Sequence, residues 1–95
     1  MDNNTIEAFH IKSMEDGVLK LNTSTMYRWH IPKALRKEPI QQGDIVLVRT
    51  AKGKARVVVM QVFREEFEEA GRSYNRVLKV IERAPKRELV GGVSK

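Results

Sequence analysis

Two runs rich in valine and isoleucine, residues 45–50 and 55–63, are separated only by Ala51-Lys52-Gly53-Lys54. This pairing constrains the fold more than any other feature of the chain. β-branched residues favour a pleated, half-buried backbone, and runs this short suit strands rather than helices. Both runs are apolar on two faces. Ile45 and Leu47 alternate with Val46 and Val48, and Val57 and Val59 with Val58, Met60 and Val62. Strands buried on both sides belong in the middle of a sheet or in the wall of a barrel. The linker carries one glycine, Gly53, suited to a positive φ at the turn. A Gly43-Asp44 corner leads into the first run, and Asp44 reads as a turn-capping residue.

The flanking sequence predicts shorter strands around this hairpin. Thr5–Lys12 alternates loosely through Ile6, Phe9 and Ile11. Glu15-Asp16-Gly17 signals a turn into a short strand, Val18–Leu21, and Asn22-Thr23-Ser24-Thr25 is a polar break. Met26–Ile31 alternates with Tyr27, Trp29 and Ile31 on one face, expected to be core, and Met26, Arg28 and His30 on the other. Pro32 ends that strand, residues 33–38 suit one or two helical turns, and Pro39 stops them. Residues 64–72 form an acidic connection, either a loop or a helical turn with Phe63 and Phe67 spaced four apart. Tyr74–Glu82 reads as the last strand. The sequence therefore predicts an all-β (mainly β) domain over residues 1–85, a small five- to six-stranded half-open barrel, OB-like or similar. Residues 86–95, with Gly91-Gly92, read as a flexible basic tail.

Charge narrows the function. The chain of 95 residues carries a formal +6, distributed unevenly. Residues 20–56 hold nine Lys/Arg against Glu38 and Asp44, and an acidic block (Glu65, Glu66, Glu68, Glu69) separates them from a second basic segment. Such alternation points to a polarised surface. Arg49, Lys52, Lys54 and Arg56 surround the central turn. They read either as ordinary solubilising charge or as a cationic finger aimed at phosphate or an acidic partner. Arg28, Lys33, Arg36 and Lys37 before the hairpin, and Arg72 and Arg76 after it, extend the set. Tyr74, flanked by Arg72 and Arg76, is the candidate for stacking on a base.

An enzyme is not expected. His10 and His30 lie on different strands, and a metal site needs three or four ligands at supporting spacings. The serines lack nucleophile-elbow glycines, and the glutamates read as a solvated acidic face. With no cysteine, disulfides and thiolate metal sites are excluded, and no cofactor is implied. No apolar run approaches a membrane span, and Met1–Thr5 lacks the basic start and apolar stretch of a secretion signal, so a cytoplasmic protein is expected.

One stretch carries a resemblance. Tyr27, Ile31, Pro32, Leu35, Gly43, Val46, Val48, Gly53, Val57 and Val59 follow a pattern of aromatic strand, Ile-Pro step, Gly-entered strand and hairpin. Residues 27–63 thereby resemble the N-terminal DNA-binding domain of the primosomal helicase PriA. That likeness implies DNA binding without the helicase portion, for which the chain has no Walker loop. The overall style also resembles small accessory proteins of phages and mobile elements, a group in which inhibitors of host enzymes are common. The two readings to test are a small barrel that binds nucleic acid, DNA or RNA, and a protein-binding inhibitor or adaptor. The latter would meet an acidic or nucleic-acid-processing partner. A homo-oligomer formed through an open sheet edge is a third.

Overall fold

A computed structural model describes residues 2–66 and 74–84. Five strands, β1 (Thr5–Glu15), β2 (Val18–His30), β3 (Ile45–Thr50), β4 (Gly53–Phe63) and β5 (Val77–Glu82), form one sheet in the order β2-β1-β4-β3-β5. Every ladder is antiparallel. The valine hairpin occupies the interior of the sheet, as its two-sided apolar pattern predicts. It turns through Ala51-Lys52, with Thr50 paired to Gly53 and Gly53 at φ +124°.

The first hairpin is longer than its composition suggests, because Asp16 and Gly17 take φ +52° and +77° and join Glu15 to Val18 directly. Positive φ at both central residues gives the turn whose twist matches its flanking strands. The polar stretch after Leu21 does not end β2. Ala8 pairs with Tyr27 and His10 with Asn22, so residues 23–26 bulge opposite Phe9 alone. The Asn22 carboxamide oxygen accepts from the Ser24 amide and hydroxyl, which replaces ladder bonds within the bulge. The helical segment contracts to a 3-10 turn, Lys33–Leu35. The last strand begins at Val77 rather than Tyr74. Residues 67–72 of the acidic connection, with Phe67, and the proposed tail lie outside the described residues.

The inner face of the sheet carries the core: Ile6, Ala8, Trp29, Ile31, Ile40, Val46, Val48, Val57, Val59 and Val77. Strict alternation would turn Val62 away from this face. Glu7 pairs with Gln61 and Ala8 with Val59, so Met60 is the extra residue of a bulge and Val62 returns to the core side. The sheet rolls until its edges touch. His30 N donates to Asn75 O at 2.9 Å, and a parallel bridge joins His30 to Arg76. Trp29 Nε1 donates to Arg49 O at 3.0 Å across the same end. Among the described residues the two edges meet at that place.

Candidate functional site

Register decides which cations meet. The outer face of β4, β3 and β5 is laid out in cross-strand rows. Lys54 is paired with Arg49, and Arg49 N donates to Arg76 O at 3.1 Å. One row along, Arg56 is paired with Leu47, and Leu47 with Lys79. The third row is Val58, Ile45 and Glu82. Val58 and Ile45 are buried although they face outward, and Met14 and Leu19 of the first hairpin line a groove with them. The hairpin arm thus covers the apolar row and leaves two cationic rows open.

Arg49, Lys54, Arg56, Arg76 and Lys79 are all exposed, as is Lys52 at the turn. Among the described residues none of these six side chains makes an ion pair. Strands lie ~4.8 Å apart and alternate residues ~6.8 Å apart along a strand, so the rows concentrate charge in a patch roughly 10 Å wide. Like charges directly opposite one another destabilise a sheet. Lysine on an edge strand also blocks edge-to-edge pairing, which accounts for Lys79 of β5 on structural grounds alone. It does not account for Arg49, Lys54 and Arg56, which lie on interior strands.

The cations before the hairpin are used differently. Arg28 Nε donates to Glu7 Oε2 and its Nη1 to Glu65 Oε2, each at 2.8 Å. Its guanidinium also lies 5.1 Å from the centre of the Phe63 ring. Hydrogen bonding with Tyr74, and then with Glu7, pushes the Arg28 pKa up from its ordinary value. Arg36 donates from Nε and Nη2 to the Ile31 carbonyl at 3.0 and 2.6 Å. Lys33 has a partner of its own, and Lys37 is exposed. Arg28 and Arg36 are thus engaged by acceptors of the chain, although Arg28 also lines a groove together with Lys52 of the hairpin turn. Arg72 lies outside the described residues. The expected solvated acidic face does not include Glu65, because its carboxylate is held by Arg28 and approached by Thr5 and Tyr74. Asn4 places it: the buried carboxamide donates to Glu65 O and accepts from Glu65 N, both at 2.8 Å. Nothing in the sequence pointed to this clamp, since the burial of Asn4 is visible only in the assembled sheet. Lys79, missing from the sequence-derived set, could have been found as the one cation inside the apolar run 77–82.

The other side of the wall forms a second feature. His10, Tyr27 and Trp29 face inward at the open end of the roll. The ring centres are 5.5 Å apart for His10–Tyr27 and for His10–Trp29, both edge-on. Trp29 is core, as its strand face predicts, but Tyr27 is 49% exposed because it sits at the mouth. These rings, with Arg28, Lys52, Tyr74 and Asn75, line a groove of about 540 Å³. Tyr74 is half-buried, and its hydroxyl lies 3.5 Å from Arg28 Nη1 and 3.4 Å from Glu65 Oε2.

Asp44 caps its corner as the sequence predicts. Its buried carboxylate accepts from Gln41 N at 2.9 Å, Ala84 N at 2.7 Å and Arg83 Nη1 at 3.2 Å. Among the described residues no group of three His, Asp or Glu side chains is placed to hold a metal ion, and no helix is long and apolar enough to cross a membrane. No curated protein and no solved structure matches the chain. Residues 1–83 match a family described as a family of unknown function, DUF5839, and the chain belongs to that family.

Proposed function

We propose that this protein is a non-enzymatic, cytoplasmic nucleic-acid-binding domain that grips the phosphate backbone with the outer face of β4, β3 and β5. The observation that carries the reading is the pair of cross-strand rows, Lys54–Arg49–Arg76 and Arg56–Leu47–Lys79, whose cations lack ion-pair partners among the described residues. Cations held this close repel one another, and a polyanion relieves that repulsion while releasing its own counterions. The likeness of residues 27–63 to a DNA-binding domain is a second support. Phosphate contacts of this kind fix position and carry little sequence information.

The test is a salt titration on a short duplex. With roughly five phosphate contacts, log affinity falls against log salt with a slope of about −4. Absence of binding at low salt, or binding indifferent to salt, overturns the proposal. A protein partner recovered from nuclease-treated lysate, and competed off by none of these oligonucleotides, would transfer the same face to the adaptor reading.

A further inference from the structure

Phosphate contacts on the outer face leave the aromatic mouth unused. Its geometry has the parts needed to hold one base. Tyr27 is the exposed aromatic among the described residues, and His10 packs edge-on against it. Across the groove stand Lys52 and Asn75, whose side chains have no partner among the described residues. Trp29 closes the floor, with its N–H committed to Arg49 O. A π face, a cation and an amide offering both donor and acceptor are what binding an unstacked base requires. The groove volume of about 540 Å³ falls within the usual range for small-ligand sites, and barrel mouths are a common place for them. The mouth also adjoins the cationic rows along the chain: Lys52 is one glycine from Lys54, and Asn75 precedes Arg76.

We infer that the mouth receives one unstacked base of a single-stranded nucleic acid, stacked on Tyr27 with its edge toward Asn75, while the neighbouring phosphates lie on Lys52 and the outer cations. The inference rests on the nucleic-acid reading above and adds to it, because bases within a duplex cannot enter such a groove.

Trp29 is the sole tryptophan of the chain, so its fluorescence reports on the mouth alone. Short oligo-dT, oligo-U and a blunt duplex of equal phosphate number are compared at low salt. Both single strands are expected to bind more tightly than the duplex and to quench Trp29. The tighter of the two assigns DNA or RNA. Tyr27→Ala weakens the better single strand by roughly 5- to 150-fold, the range for loss of one stacked base, and leaves duplex binding unchanged. Tyr27→Phe restores single-strand affinity. Equal binding of single strand and duplex with Trp29 unquenched overturns the inference and leaves the phosphate reading standing. No binding by any oligonucleotide overturns both. Should Tyr27→Ala fail to fold, quenching of the unaltered protein by single strand, against duplex, decides the matter.

Discussion

Arg28 and Arg83 use their cationic forks to fasten the chain, whereas the forks of Arg49 and Arg56, on the same small sheet, fasten nothing among the described residues. Arg28 ties β2 to Glu7 of β1 and to Glu65 beyond β4. Arg83 ties the end of β5 to the Pro39 and Glu38 carbonyls and to the Asp44 carboxylate. Both sit where planar, bidentate donation has targets on more than one segment. Arg49 and Arg56 instead stand beside Lys54, Arg76 and Lys79, with no acid in their rows. The difference shows that a count of positive residues does not locate a binding surface. What matters is which positions the strand register places opposite carboxylates and which it places opposite other cations.

Reversing charge on the unpaired side breaks the comparison most severely. Arg49→Glu with Arg56→Glu leaves acids beside Lys54, Arg76 and Lys79. Affinity for duplex at low salt should fall roughly 100-fold or more. Stability to urea should hold or rise, since each opposite-charge cross-strand pair contributes about 0.2–1 kcal/mol. Loss of binding accompanied by unfolding would mean that these cations are structural after all.

The paired side should show the reverse pattern, with stability reduced and binding per folded molecule kept. Asp44→Ala removes the acceptor for two backbone amides and Arg83. Arg83 is 42% exposed, so water takes up its stranded charge and the full cost of breaking a buried ion pair does not apply. The missing charge-assisted bonds then dominate, and urea denaturation should show a destabilisation of about 2–3 kcal/mol. Gly43→Ala tests the same corner more gently. Gly43 has φ +93°, and an added Cβ would stand 3.0 Å from the Ala84 Cβ. The strained backbone and the crowding should together cost about 1–3 kcal/mol, again by urea denaturation.

The hairpin, the Asp16-Gly17 turn and the Asp44 corner were legible in the sequence because each depends on neighbouring residues. Alternation and turn chemistry act over a few positions, and nothing distant overrode them. The same logic misplaced Tyr27: it put that side chain on the core face correctly, but whether a core-facing residue is buried depends on where the roll ends. It also gave no sign of the ion pairs of Arg28, whose carboxylates lie 21 and 37 residues away and meet it only once β1, β2 and the end of β4 are assembled. The bulge at Met60 shifts the register without a compositional signal, and the one at residues 23–26 lies where the polar stretch signalled a break rather than a continued strand. The cationic rows depend instead on the unbroken β3–β4 register and on the β3–β5 ladder, which shifts between Leu47 and Val48 and so brings Lys79 opposite Leu47, so the sequence showed four of their five members around the turn and in Arg76 without showing that they align.

The mildest pair of substitutions sharpens the contrast furthest, because it alters one charge on each side by the same chemistry. Lys54→Gln deletes a cation with no acid beside it. Removing one cation that neutralises a phosphate should reduce the magnitude of the salt slope by about 1, uniformly across sequences. Arg28→Gln deletes a cation whose charge is already balanced by Glu7 and Glu65, so the slope should stay where it is. Its effect belongs to stability instead, and there it should be small, because water and salt screen an arginine this exposed. Both variants lower the net charge by the same amount. If the two slopes shift equally, binding follows overall charge rather than the aligned rows, and the outer face of β4, β3 and β5 loses its claim to be the site.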